Sequence, residues 1–205
     1  MENQSSTNTD IGNSNKASLS KIFKNVDFTA DESHFIESKL TVVELSKASH
    51  LLKLGTKVDN QYYVVSGCLR TYFCDKASKE HTIQFAINDW WISDYTAFFS
   101  SSNAILEIEA LQDSVLIKMS KVTMDELCAR IPKLETFFRK KMEGAFAAFQ
   151  KRILANLSQT AAERYVDFVN SYPIIEQNIK NYHIASYLGI TTESLSRIRK
   201  ELLNL

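Results

Sequence analysis

Residues 181–200 read NYHIASYLGITTESLSRIRK and carry the most informative pattern in the chain. Ala185 lies where two helices would approach closely, and Gly189 lies at the turn between them, where a positive φ suits glycine. Thr191 then offers an N-cap for a second helix. Apolar residues on both sides of the glycine allow the two helices to share a core. The spacing predicts a helix-turn-helix.

The predicted second helix has two chemically different faces. Leu195, Ile198 and Leu202 form an apolar stripe that we expect to face inward. The opposite face carries side chains that suit DNA: arginine can bind guanine through two hydrogen bonds, glutamate can accept from cytosine, and hydroxyls serve either role. A purely structural helical hairpin would share the turn, so the composition of this face is what favours DNA. We expect the DNA-contacting residues to be Thr191, Thr192, Glu193, Ser196, Arg197, Arg199 and Lys200.

A long helix is predicted upstream of this motif. Pro132 suits a first helical turn, and apolar residues then recur at steps of three and four as far as Leu157. A buried helix within one domain would show the same pattern, but this one is longer than a small core needs. We interpret its stripe as a two-fold dimer interface. The stripe consists of Phe138, Met142, Ala145, Phe149 and Ile153.

The sequence before this helix has a pattern typical of β-strands. Short runs of aromatic and branched residues, separated by polar turns, recur at intervals of roughly 8–12 residues and predict an antiparallel sandwich or barrel. Residues 31–45 have the spacing of a short amphipathic helix. The expected strands cover residues 62–65, 68–74, 81–87, 106–110 and 115–119.

Composition narrows the class of protein. The 205 residues carry 24 basic and 24 acidic side chains, yet residues 1–120 have a net charge of −4 and residues 121–205 one of +4. This asymmetry fits a sensing part joined to an anion-binding part. The sequence has neither a secretory signal nor an apolar run of about 18 residues, so we expect a cytoplasmic protein without membrane association.

These patterns together predict an α+β protein with four parts. They are a disordered tail (1–18), a β-roll sensor domain with flanking helices (19–121), connecting and dimerisation helices (122–157) and a helix-turn-helix domain (158–205). The tail is predicted from its polar composition, which cannot offset the entropy lost on ordering.

In this order of parts, the chain resembles the Crp/Fnr superfamily of bacterial transcription regulators. The run Thr192-Glu193-Ser194-Leu195-Ser196-Arg197 looks like the recognition helix of the Fnr type. The resemblance implies a jelly roll similar to cyclic-nucleotide-binding domains and a homodimer bound to palindromic double-stranded DNA, with RNA polymerase as a partner if the protein is an activator. It also implies that Glu193, Ser196 and Arg197 read the half-site. Residues 70–73, 79–85 and 90–94 resemble one branch of the superfamily.

The chain departs from this family in the stretch that holds the cyclic phosphate. Residues 92–104 contain neither the glycine nor the arginine of that cassette, and Asp94 would add negative charge there. We therefore expect an effector other than a cyclic nucleotide, or none. The sequence stops soon after the recognition helix, so no C-terminal β-wing is expected. The three cysteines do not match a four-cysteine iron–sulfur site.

The same sequence lacks the patterns typical of several enzyme classes. A cupin-type enzyme would need clustered histidines, but His34, His50, His81 and His183 are scattered, and no nucleotide-binding or hydrolase motif occurs. We expect no enzymatic activity, metal or cofactor. Two cysteines on one strand, Cys68 and Cys74, leave a redox role open beside the commoner role of buried thiols. The main alternative is a small-molecule-binding module that acts through protein partners without reading DNA.

Overall fold

The computed structural model describes residues 19–203, so the predicted disorder of residues 1–18 lies outside the described part. The first complete element is α1 (Ala30–Lys39), which begins at a reciprocal capping box between Thr29 and Glu32. The prediction of one helix over residues 31–45 was wrong in its second half. Helix α1 ends at Lys39, and residues Thr41–Leu45 form strand β1, which pairs with strand β8 (Ser114–Ser120). Cross-strand pairing decided the conformation there.

The front of the chain is an antiparallel β-roll of two four-stranded sheets. One sheet has the order β1-β8-β3-β6 and the other the order β2-β7-β4-β5. All of the strands expected from the sequence are present, with ends that differ by a few residues at most. The remaining strands are β2 (His50–Leu52), β3 (Asn60–Ser66), β4 (Cys68–Cys74), β5 (Glu80–Ile87), β6 (Trp91–Ile92), β7 (Glu107–Ala110) and β8 (Ser114–Ser120).

The roll has an apolar interior and a second, aromatic core at one end. Leu69, Ile108 and Leu116 fill the space between the sheets. At the end, Trp91 meets rings from the helices, whereas Trp90 contacts Tyr172 edge to face with centroids 5.6 Å apart. The opposite orientation of the two tryptophans agrees with a strand, in which neighbouring side chains alternate.

The other regular elements of the described chain are helices. A short helix, α2 (Tyr95–Ser100), lies within the roll, and α3 (Lys121–Arg130) follows it. The predicted long helix is α4 (Lys133–Ser158), 26 residues in length. A capping box of Thr160 and Glu163 opens the next helix. The C-terminal helices are α5 (Ala161–Ser171), α6 (Pro173–Asn178), α7 (Asn181–Leu188) and α8 (Thr192–Leu203). No described helix has the length and apolarity required to cross a bilayer.

The C-terminal helices share a core with the outer face of one roll sheet. Their apolar residues, among them Phe168, Ile184 and Leu195, form a cluster that also contains Cys68 of β4 and Phe85 of β5. Phe85 lies 5.3 Å from Tyr187 between ring centroids. The helix-turn-helix is therefore packed against the roll.

One tight turn fixes the junction of the two sheets. Gly67 separates β3 from β4 and has φ of +107°, a conformation that favours glycine. A Cβ atom at this position would lie 2.2 Å from Oγ and 2.7 Å from Cα of Ser114 on the neighbouring strand. A methyl group therefore has no space unless the backbone of β8 moves.

We expect Gly67→Ala to lower the free energy of unfolding by about 3 kcal/mol because it adds both backbone strain and a steric clash. The matched control is Gly144→Ala on α4, where an added Cβ meets no atom within 4 Å. Alanine should stabilise that helix by about 1 kcal/mol. Urea unfolding at one fixed protein concentration measures both values, and equal effects of the two substitutions would contradict the role of the turn.

Candidate nucleic-acid interface

Helices α7 and α8 form the helix-turn-helix that the sequence predicts. Gly189 ends α7 in the left-handed conformation, with φ of 69°. The N–H of Ile190 donates to the carbonyl of Ala185 at 3.0 Å, which closes the turn. Thr191 caps α8, since its hydroxyl accepts from the N–H of Ser194 at 3.2 Å.

The apolar positions of the motif are buried as expected. Ile184, Ala185 and Leu188 of α7 and Leu195 and Ile198 of α8 all belong to the C-terminal core. Burial of Ala185 allows the two helices to approach closely, because a larger side chain would hold them apart. This packing fixes which face of α8 points outward.

The outward face of α8 presents polar side chains that the sequence singled out. Glu193, Ser196, Arg197 and Lys200 are exposed. The side chain of Arg197 is 72% exposed, and its nearest carboxylate, that of Glu201, is 3.9 Å away. A guanidinium held this loosely keeps its donors available for an incoming acceptor.

The first turn of α8 orients the carboxylate of Glu193. Hydrogen bonds from its own backbone N–H and from the hydroxyls of Thr191 and Thr192 lower the pKa of this side chain. The hydroxyl of Thr192 lies 3.1 Å from Glu193 Oε1. The residue is therefore ionised at neutral pH, which is the form that accepts a hydrogen bond from a cytosine amino group.

Arg199 does not lie on this free surface, contrary to its prediction as a DNA contact. Its guanidinium donates to Tyr165 at 3.0 Å, to Asn181 Oδ1 at 2.6 Å and to Glu176 Oε1 at 2.8 Å. These partners lie on α5, α7 and α6, so Arg199 ties four helices together. A five-donor side chain can satisfy three partners at once, and the sequence does not reveal that such partners are near.

The predicted stripe on α4 divides into a buried start and an exposed remainder. Phe138 is only 9% exposed and belongs to the aromatic core of the roll, so it is not free to contact a partner. Met142 is partly buried, whereas Ala145, Phe149 and Ile153 are exposed. The exposed apolar surface also includes residues that the stripe omitted, namely Phe146, Leu154 and Leu157. Phe146 and Leu157 lie three or four residues from predicted positions, and Leu154 lies three residues before Leu157, so the spacing was the signal that could have found them.

Contacts between α7 and strand β5 hold the helix-turn-helix against the roll. The hydroxyl of Ser186 donates to the carbonyl of Glu80 and accepts from the N–H of Thr82, both at 2.9 Å. Arg152 of α4 donates to carbonyls of Thr82, Ile83 and Tyr187. Arg152 thus joins the long helix, the roll and α7. No sequence pattern indicated this role.

A buried ion network lies on the same outer sheet face. Arg70 is 2% exposed, donates to Glu109 at 2.6 Å and to Glu80 at 2.5 Å, and lies 4.0 Å from the ring centroid of Tyr72. The branch-like motifs at residues 70–73 and 79–85 therefore form the strands on which the C-terminal helices pack.

The stretch that resembles a phosphate cassette already contains an anion of its own. Asp94 is fully buried, and its carboxylate accepts from the backbone N–H groups of Ala97, Ile105 and Leu106. These N–H groups include the start of α2, the type of position that binds a phosphate in other proteins. With a carboxylate on them, they are not available to a ligand.

The cysteines show no sign of activated thiols. Burial raises the pKa of Cys68 to about 12, and the pKa values of Cys74 and Cys128 are also raised. A thiol with a raised pKa holds little of the reactive thiolate at neutral pH. Within residues 19–203, no group of three or more histidine, cysteine, aspartate or glutamate side chains could hold a metal ion.

Comparison with known proteins agrees with this geometry. The model of the cyclic nucleotide-binding domain matches residues 42–131. The fumarate and nitrate reduction regulatory protein of Escherichia coli strain K12 is 23% identical over 190 residues, which cover 84% of this chain and 74% of that protein. The chain is therefore similar to proteins of the Crp/Fnr superfamily. Its sequence relatives are regulatory proteins.

Solved structures of other proteins share the fold. FixK2 from Bradyrhizobium japonicum superposes with a TM-score of 0.70 at 17% identity, over 80% of this chain and 85% of that one. A Crp/Fnr-family regulator from Eubacterium rectale gives a TM-score of 0.65 at 18% identity, over 86% and 84%. The predicted α+β fold of a β-roll followed by a helical C-terminal domain is thereby confirmed.

A buried histidine makes the packing of this protein sensitive to acid. His183 of α7 is 4% exposed, and its Nδ1 has no hydrogen-bond partner among the described residues. Burial and the nearby charges of Arg70 and Lys180 lower its pKa to about 3. The unfolded chain takes up a proton near pH 6.5, whereas the folded one resists it, so stability falls as the pH drops from about 6.5 towards 3.

We expect His183→Phe to remove this dependence. Between pH 6 and 4.5, the free energy of unfolding of the natural protein should fall relative to that of the variant by up to about 1.4 kcal/mol per pH unit, which corresponds to one proton. Urea unfolding at a series of pH values gives both curves. Parallel curves would show that His183 is protonated as easily in the folded state as in the unfolded one.

Proposed function

We propose that this protein is a DNA-binding transcriptional regulator that acts as a homodimer on a palindromic site. The observation that carries the proposal is the division of α8 into a buried face at Leu195 and Ile198 and an exposed face with Glu193, Ser196 and Arg197. A helix held in this way can enter a major groove and present acceptors, hydroxyls and a guanidinium to base edges. Lys200 is exposed on the same helix, and we propose that it contacts a phosphate.

The sequence relatives support this function, since they are regulatory proteins. We also propose that the protein is cytoplasmic and has no enzymatic activity. RNA polymerase would be a partner if the protein activates transcription. The internal contacts of Asp94 support an effector other than a cyclic nucleotide.

DNA recognition can be tested by selection from a library of palindromic duplexes, followed by fluorescence anisotropy on the selected site at several salt concentrations. Arg197→Ala should lower affinity for that site by about 1–3 kcal/mol per bidentate contact and relax the preference at one base position of each half-site. Lys200→Ala should weaken binding to all sequences alike. It should also reduce the slope of log affinity against log salt concentration by about one, since one phosphate contact is lost.

Lys76→Ala, in the turn between β4 and β5, is the matched control, because it removes an exposed charge far along the chain from α8. Its DNA affinity should equal that of the natural protein. Binding that is indifferent to sequence and unaffected by Arg197→Ala would instead favour a small-molecule-binding module that acts through protein partners.

The homodimer is proposed from the apolar surface of α4. Phe146, Phe149, Leu154 and Leu157 are between 53% and 81% exposed on one helix. Large apolar side chains grouped in this way mark a contact surface. Because Phe138 is used in the roll, the interface would begin near Met142 and continue towards the end of α4.

We expect Phe149→Asp to convert the dimer to a monomer, because the interface would bury a charge in each copy. Light scattering coupled to size-exclusion chromatography measures the molar mass. Val122→Asp on α3 is the control, since Val122 is apolar and 76% exposed but lies off α4. A monomer in the natural protein, or a dimer that survives Phe149→Asp, would contradict this interface.

A further inference from the structure

A cavity of about 300 Å³ lies where three parts of the protein meet. It is bounded by the end of α4, by α5 and by Tyr187 of α7. Its volume is at the small end of the range seen for ligand sites. It is separate from the stretch that resembles the phosphate cassette, because none of residues 92–104 lines it.

The walls of this junction cavity carry an excess of positive charge. Lys151, Arg152 and Arg164 line it, and Asp167 is the only carboxylate among its described lining residues. Arg164 donates to the carbonyls of Gln159 and Leu188, and Arg152 likewise donates only to carbonyls. Within residues 19–203 neither arginine forms an ion pair. Both guanidinium groups are therefore hydrogen-bonded but lack a counter-charge.

Burial without a counter-charge is unfavourable. It lowers the pKa of Arg152, because the surroundings disfavour its charged form. A partly buried cation is stabilised when an anion with hydrogen-bonding oxygens comes close to it. The cavity beside the two arginines is where such an anion can enter.

Two polar atoms at the cavity wall lack hydrogen bonds. Nε of Arg164 is a buried donor without an acceptor, and Oε1 of Gln159 is a buried acceptor without a donor among the described residues. Nε2 of Gln159 donates to Asp167 at 2.8 Å, so Oε1 is the unpaired end of the amide. Unpaired buried groups of this kind are rare in folded proteins. A ligand with both an anionic oxygen and a hydroxyl matches them after small side-chain rotations.

We propose that the junction cavity binds a small hydroxylated anion, with its phosphate or carboxylate group beside Arg152 and Arg164 and a hydroxyl on Gln159. Arg152 also contacts strand β5 and α7. A ligand at this point would favour one orientation of the helix-turn-helix relative to the roll, provided that it binds that orientation more tightly.

Isothermal titration calorimetry on the full chain tests the proposal with matched probes. Ribose 5-phosphate has both groups, inorganic phosphate has only the anion, and ribose has only hydroxyls. Gluconate replaces the phosphate with a carboxylate and so distinguishes the two sources of anion. Ribose 5-phosphate, gluconate or both should give saturable heats, inorganic phosphate should bind more weakly, and ribose should give none.

Variants that remove a positive or a negative charge from the cavity wall show whether the anion binds there. Lys151→Gln should weaken binding about five-fold, and Asp167→Asn should tighten it by a similar factor, since each changes one partly screened charge. Lys140→Gln removes an exposed lysine from the same helix outside the cavity and should leave binding unchanged. Gln159→Leu should reduce the advantage of ribose 5-phosphate over inorganic phosphate. Thermal unfolding of each variant confirms that it is folded.

Absence of saturable heat with both ribose 5-phosphate and gluconate would overturn the proposal, as would equal effects of Lys151→Gln and Lys140→Gln. These measurements contain no DNA, so their failure leaves the proposed DNA recognition standing. Conversely, loss of sequence-selective DNA binding would not remove the heat of anion binding. Only the effect of the anion on DNA affinity depends on the proposed function.

Discussion

The guanidinium of Arg152 is the contact on which the arrangement of the whole molecule depends. It extends from the long helix and donates to backbone carbonyls of Thr82, Ile83 and Tyr187. It also lies 4.0 Å from the ring centroid of Tyr187. Backbone carbonyls cannot move without moving their strand or helix. One side chain therefore fixes the relative positions of three parts of the structure, which Phe85, Phe168 and the rest of the C-terminal core then fill.

Other polar residues also form specific hydrogen bonds at this otherwise apolar junction. Ser186 pairs with the backbone of Glu80 and Thr82, and Arg70 is held beneath α7 by two glutamates. Hydrogen bonds of this kind demand exact partners, whereas apolar contacts tolerate sliding. A junction that combines both has few alternative arrangements, and each alternative leaves a polar group unpaired. Such a junction can respond to a ligand by changing between discrete states.

The β-roll and the junction cavity differ in whether a carboxylate of the protein occupies their hydrogen-bond donors. In the roll, Asp94 supplies a permanent carboxylate to three backbone N–H groups, so that region needs no external anion. At the junction cavity, Arg152 and Arg164 form no ion pair with a carboxylate of residues 19–203. If the protein senses a small molecule, the physical demand for an anion lies at the junction rather than inside the roll.

The sequence determined the local elements, because their causes are local. Gly189 specifies the turn, the capping threonines specify helix starts, and the apolar periodicities specify the strands, each from a few neighbouring residues. The order of these elements came from the resemblance to Crp/Fnr proteins. Residues 31–45 were mistaken for one helix because the partner of β1 is strand β8, more than 60 residues away. Tertiary structure alone decided that Phe138 fills the roll, that Arg199 binds Glu176, and that Arg152 lacks a counter-charge. Each of these outcomes depends on which distant groups surround a side chain, and no spacing along the chain encodes that.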